Sequence, residues 1–360
     1  MIHIILEWVR LICLTFCIGV IACRLWFFTP SMQTEFSYQG NVVSSMWKLF
    51  CFGLIFMIGG SVAGLVFRAM EMSGQPVSEI ASVLPIVLFK THYGTVWLVQ
   101  IGALLLLAAA KTAVRYRDKS PFLVFMLILA SAVSMTSSAS GHGSDAGDFS
   151  VPEIMDWLHL IAACLWGGGL MALTFSVLPG LIGREEGSAP LISRVAGRFS
   201  AMAGVAVAMT AITAAYNFRL DVRSLRAMME TLYGLAVAAK ILLFGILINF
   251  GAFNRYVSVP LLRERAGGSA EVRGAIDGIA GKFFAPFRRN RSGLAVALRF
   301  KRLVGLETVL ILAVLFCAGL LRHEVPARHA AHMGHVRTGG APMHMDGDGG
   351  MQNHPDQHNH

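Results

Sequence analysis

Read from its amino terminus, the chain alternates long apolar stretches with short polar connections. A bilayer core takes about 20 apolar residues in a helix rising about 1.5 Å per residue. The stretches at about 4–28, 46–68, 93–114, 121–140, 155–179, 198–218, 231–254 and 304–322 meet that length. Unpaired backbone groups in hydrocarbon are costly, so the pattern predicts an all-α integral membrane protein with eight transmembrane helices. The first stretch has the length of a signal peptide, but Glu7 and Arg10 lie early in it and no small-residue cleavage site follows. It is expected to be retained as a helix.

Composition agrees, since 55% of the 360 residues are hydrophobic and only 14% are charged, below the share usual in soluble domains. The charge is uneven along the chain. Lys111, Arg115, Arg117 and Lys119 fill the third connection, Arg184, Arg194 and Arg198 the fifth, and eleven Arg and Lys residues the seventh, at 255–303. Those three are expected in the cytoplasm, which places both termini on the opposite face. The sixth connection, with Arg219, Arg223 and Arg226, disagrees weakly, because Asp221 and Glu230 accompany the arginines. The net charge of +9 is therefore a topology signal and implies no nucleic-acid partner. A charged helical face near 282–302 is expected against anionic lipid.

The chain also resembles itself. Glu7-Trp8-Val9-Arg10-Leu11-Ile12 aligns with Asp156-Trp157-Leu158-His159-Leu160-Ile161, and Thr91-His92-Tyr93-Gly94 with Thr231-Leu232-Tyr233-Gly234. Both matches fall in the same order at similar offsets, which predicts two parallel four-helix repeats, 1–140 and 141–322, followed by a tail at 323–360. The copies differ at Arg10 against His159, His92 against Leu232 and Gln100 against Lys240.

Under this topology every histidine lies outside or near an outer helix end. Imidazole and thioether are the side chains that hold copper, methionine favouring Cu(I) and histidine serving both Cu(I) and Cu(II). The candidate ligands are His159, Asp156, His92, His142, Met155, Met70 and Met72, with Met135, Met228 and Met229 on the same side. The tail is rich in Gly, His and Met and too polar to fold. Its His329, His332, Met333, His335, Met343, His344, Met345, Met351, His354, His358 and His360 form a candidate metal sponge. An expression tag is the alternative reading, and the interleaved methionines speak against it. Six cysteines fall inside apolar stretches and are expected to pack as small hydrophobes, Cys13 and Cys17 included.

Ionisable groups inside a membrane usually have a partner or a function. Asp156 and His159 share a helix face, and Trp166-Gly167-Gly168-Gly169 beyond them would let another helix come close. They read either as an outward-facing pocket or as an interfacial cap in which His159 bonds Asp156 at a helix start. His92 and His142 read equally as ligands or as solvated loop residues. Lys240 lies about nine residues into its helix, or about 13 Å, and is expected to pair internally with groups such as Gln100 or Asn217. Glu307 is expected to pair with the adjacent basic connection, with an exit gate as the alternative.

Taken in order, Asp156-x-x-His159, Leu165-Trp166-Gly167-Gly168-Gly169, Arg198-Phe199-Ser200, Thr231-x-Tyr233-Gly234 with Lys240, and Asn254-Arg255 resemble the copper resistance protein D (CopD) family of bacterial inner-membrane proteins. The resemblance is densest over about 150–260. It implies an eight-helix protein of the inner membrane, concerned with copper passage or tolerance and often working beside a periplasmic copper-binding protein; with the charge pattern above, both termini are then expected in the periplasm. The tail is not part of that pattern. No phosphate-cradling loop points to an ATP-driven pump, and no nucleophile or acid/base pair points to an enzyme. Copper import is the leading expectation. The alternatives are a redox protein holding haem between His92 and His159, and a copper-buffering subunit that transports nothing.

Overall fold

The computed structural model describes residues 2–29, 39–116, 118–141, 147–182, 188–221, 225–267, 275–287 and 293–323. Every regular element among them is helical. Eight helices are long and apolar enough to span a membrane: Ile4–Phe27, Asn41–Ser73, His92–Thr112, Ser120–Ala139, Val151–Leu181, Ala189–Leu220, Leu232–Arg265 and Ala295–Arg322. They are called the first to eighth spans below.

Several spans outrun their apolar stretches. The second, sixth, seventh and eighth continue through polar residues, because a helix leaving the hydrocarbon keeps its internal hydrogen bonds wherever its side chains can reach water. Arg299, Lys301 and Arg302, expected in a connection, are thus helical. The stretch near 282–302 belongs to two elements, Ala275–Phe284 and Gly293–His323. Ala275–Phe284 is held to the end of the seventh span by Phe284, which stacks on Tyr256 at 5.7 Å.

The fifth and seventh spans each widen into a π-helical turn, Leu173–Val177 and Asn254–Ser258. Pro179 and Pro260 follow two residues later. Proline lacks the N–H that an α-helix needs and crowds the preceding turn, and a π turn relieves both. The first span closes with a third such turn, Cys23–Phe27.

The first and fifth spans cross at the centre of the bundle. A Cβ on Gly168 would lie 2.0 Å from the Thr15 carbonyl oxygen, and one on Gly19 would lie 2.1 Å from the Gly168 carbonyl carbon. Only glycine permits that approach. Gly167 faces Ile311 of the eighth span and Gly169 faces Phe199 of the sixth, so the glycine triplet seats three neighbours. Beside the crossing, Thr15 Oγ1 and Cys164 Sγ are 3.4 Å apart. Both this pair and Gly19/Gly168 join positions 149 residues apart, the offset of the sequence repeat.

Two inter-span turns are built alike. Thr91 caps the third span and Thr231 the seventh, each accepting from the N–H three residues on, Gly94 and Gly234. A short helix precedes each cap, Ile80–Lys90 and Leu225–Glu230.

At the end of the bundle where the basic connections lie, Arg24 is wholly buried. Its Nε and Nη2 donate to Asp118 Oδ1 at 3.1 and 2.8 Å, and its Nη1 donates to the Phe28 carbonyl at 2.8 Å. Trp47 Nε1 donates to the same carboxylate oxygen at 3.2 Å, tying the first and second spans to the connection before the fourth. Arg255 Nη1 donates to the Ser200 carbonyl at 2.8 Å and joins the seventh span to the sixth. All six cysteines carry free thiols, and Cys17 donates to the Phe50 carbonyl at 3.7 Å.

Candidate metal-handling site

At the other end of the bundle the fifth span starts at Val151, a turn before its apolar stretch. Ser150 is the N-cap and accepts from the Glu153 N–H. Asp156 is therefore in the second turn and is not the cap. One helical turn further in, His159 meets two neighbouring spans. Its Nδ1 lies 3.0 Å from Thr213 Oγ1 of the sixth span, and its Nε2 lies 3.4 Å from Lys240 Nζ of the seventh.

The Thr213 contacts favour one tautomer of the ring. Thr213 Oγ1 donates its single proton to the backbone, facing the Met209 and Thr210 carbonyls at 2.8 and 3.2 Å. It can then only accept from His159, so Nδ1 carries the ring proton and Nε2 is left with a bare lone pair. Lys240 Nζ donates into that lone pair. Asp156, one turn before His159, is the acidic group whose charge acts on both.

Lys240 was expected to reach groups such as Gln100 or Asn217, and the interfacial-cap reading had His159 bond Asp156; the structure pairs Lys240 with His159 and His159 with Thr213. The reason is rotational setting. Lys240 and His159 face one another only because of how the fifth and seventh spans turn about their axes, which a single-chain pattern does not fix. Thr213 was missed altogether, and the one signal for it is a hydroxyl midway along an apolar span.

The other expected ligands do not gather there. His92 starts the third span, exposed, with Nε2 3.5 Å from Asp148 Oδ1. Met70 packs among Leu65, Ala69 and Ile80, beneath the short helix before the third span. Met72 is exposed and Met155 half-buried. His142 and the tail residues His329, His332, Met333, His335, Met343, His344, Met345, Met351, His354, His358 and His360 lie outside the described residues. Among the described residues, no three His, Cys, Asp or Glu side chains form a group that could hold a metal ion.

The position that the sequence self-similarity aligns with His159 is filled differently. Arg10 donates to both carboxylate oxygens of Glu7, at 2.6 and 2.8 Å, and to Ser137 Oγ of the fourth span at 2.7 Å. Arg322 of the eighth span lies 3.1 Å from Glu7. This network sets two guanidinium groups around one carboxylate and ties three spans together, whereas at the His159 site a ring nitrogen faces a lysine. Glu307, expected to pair with the basic connection, is instead 2% exposed and accepts from the Asn254 side-chain amide at the π turn of the seventh span. The adjacent Thr308 shares a 2.7 Å hydrogen bond with Thr174 at the π turn of the fifth.

Comparison with known proteins bears on this arrangement. Residues 1–150 match the family model described as copper resistance protein D-like, N-terminal domain, and residues 193–321 match that of copper resistance protein D. The chain belongs to the copper resistance protein D family. The second match contains Thr213, Lys240, Asn254 and Glu307; His159 and the glycine triplet fall between the two. Among individual relatives, the chain is 29% identical to copper resistance protein D of Pseudomonas syringae pv. tomato over 216 residues, 57% of this chain and 67% of that protein. It is also 29% identical to copper transport protein CutJ of Bacillus subtilis over 172 residues, 46% of this chain and 31% of that protein. The match thus spans about a third of CutJ and about two thirds of the Pseudomonas protein. No solved structure matches the chain.

Proposed function

We propose that this member of the copper resistance protein D family carries copper inward across a bacterial inner membrane, with His159 as its ligand inside the bundle. One observation carries the reading: His159 presents a bare imidazole nitrogen between three spans, the lone pair that a copper ion takes, covered only by the terminal amine of Lys240. The names of the relatives, copper resistance and copper transport, support copper as the cargo.

Lys240 gives the site a resting state. An ammonium and a metal cation cannot both occupy Nε2, so copper enters as Lys240 withdraws, and Lys240 returns when copper leaves. Asp156 compensates the charge of whichever cation is present. Copper reaches the site from the face that carries His92, Met70, Met72 and Met155, with His142 and the His/Met tail as the capturing ligands. The basic end, with Arg24, Lys111, Arg198 and Arg255, faces the cytoplasm by the positive-inside rule, which leaves both termini in the periplasm. A periplasmic copper-binding protein fits as the donor.

The contacts at the 149-residue offset support two parallel four-helix halves related by an axis through the Thr15/Cys164 and Gly19/Gly168 pairs. In that reading Arg10 and Glu7 are the structural copy of the site and His159 and Asp156 the functional one. A haem between His92 and His159 has less support, because His92 is exposed beside Asp148 at the start of its span.

The test is cellular copper accumulation at matched membrane expression. His159→Ala should lower accumulation to the level of cells without the protein, while His92→Ala should retain most of it. Equal accumulation with wild type and His159→Ala would overturn the assignment.

A further inference from the structure

A cavity of about 370 Å³ opens between the second and third spans at the basic end, lined by Ser44, Trp47, Lys48, Cys51 and Lys111. The first four recur at i, i+3, i+4 and i+7, one face of the second span, and Lys111 comes from the last turn of the third. Among the described residues neither lysine makes a salt bridge.

The surrounding sequence explains why. The third span contains no acidic residue, and the second has only Glu71, at its far end. The connection after the third span has a single acid, Asp118, whose Oδ1 is already shared by Arg24 and Trp47. The wall of the cavity is also fixed in place, since Trp47 is held by Asp118 and meets Phe50 edge to face at 5.5 Å. Among the described residues, two cations thus flank the cavity with no carboxylate paired to either.

Toward the membrane centre the same face turns apolar. Phe52 and Ile55, one turn beyond Lys48 and Cys51, are 61% and 67% exposed, and Phe56 follows Phe52 a turn later. Leu105 and Leu106 are exposed on the third span. An anion seated between the lysines would therefore have an apolar track running from it into the hydrocarbon, which matches a phosphate with acyl chains and gives a free inorganic anion nothing further to bind.

We propose that this cavity is a binding site for an anionic phospholipid, its headgroup phosphate between Lys48 and Lys111 and an acyl chain along Phe52, Ile55 and Phe56. Juxtamembrane basic groups attract such lipids. Here two lysines on the wall of one cavity make the attraction local. The site lies at the opposite end of the bundle from His159 and does not depend on the copper reading.

The test is native mass spectrometry of the full-length protein in detergent, titrated with phosphatidylglycerol or phosphatidylcholine. The expected result is a saturable phosphatidylglycerol adduct that phosphatidylcholine does not form. The Lys48→Ala/Lys111→Ala variant should weaken it about tenfold, and Lys48→Arg/Lys111→Arg should retain it. Adducts equal for both lipids, or a phosphatidylglycerol adduct unchanged in the double alanine variant, would overturn the proposal. So would full displacement by millimolar inorganic phosphate, which would make the site one for the free anion. Thermal unfolding of each variant, equal to wild type, shows that a lost adduct reflects the lost charges and not lost folding.

Discussion

Lys240 Nζ stands 3.4 Å from His159 Nε2, the one ring nitrogen that the Thr213 hydrogen bond leaves without a proton. A lysine in that place competes with any metal ion for the same lone pair. Replacing it by an uncharged side chain that cannot bind a metal removes the competitor. Lys240→Leu is expected to tighten Cu(I) binding about tenfold, or about 1.4 kcal/mol, measured by competition with a chromophoric chelator. Adding His159→Ala should abolish the gain. An unchanged affinity in Lys240→Leu would show that copper does not bind at Nε2.

The helix crossing makes a prediction about stability. Alanine at Gly168 places its Cβ 2.0 Å from the Thr15 carbonyl oxygen, backbone that cannot move aside. Gly168→Ala should cost about 3 kcal/mol or more, lowering the thermal unfolding midpoint in detergent. Gly59→Ala, where a Cβ meets nothing within 4 Å, should leave the midpoint near that of wild type.

Arg24 is wholly buried and Asp118 supplies its charge partner, so the pair should be lost more safely together than singly. Asp118→Ala strands a buried guanidinium and should destabilise by about 3 kcal/mol. Combining it with Arg24→Met should recover much of that loss in the same unfolding measurement. Additive losses would mean that the two residues do not act as a pair.

At the other buried pair, Asn254→Leu removes the only side-chain donor to Glu307 among the described residues. The carboxyl then lacks a partner in a dry site, at a cost of about 1–3 kcal/mol. Glu307→Gln keeps a hydrogen-bonding group opposite Asn254 and should cost less. The comparison of the two unfolding midpoints checks the order.

Eight spans could be read from the sequence because the length of an apolar run is a local property, as was the close approach at Gly167, Gly168 and Gly169. The reach of the helices beyond those runs could not, since Arg299 and Lys301 look like connection residues until the helix beneath them is seen. Lys240 was recognisable as an unusual residue, but its partner depended on how two spans turn toward each other. Asp118 had a readable signal, a lone acid between Arg117 and Lys119 within a basic connection, and Arg24 another, a lone arginine near the end of an apolar run. Only the fold joins the two. The same holds for Thr15 and Cys164, ordinary residues in sequence that meet where the first and fifth spans cross.

The central claim, that copper passes inward through His159, is tested most directly by copper uptake into proteoliposomes of defined orientation. Wild type, His159→Ala and a form truncated before His323 would be compared. The account predicts uptake from the face carrying the termini, falling to background in His159→Ala and persisting at a lower rate in the truncated form. Uptake unchanged in His159→Ala, or no uptake by a wild-type protein that still binds copper, would contradict it.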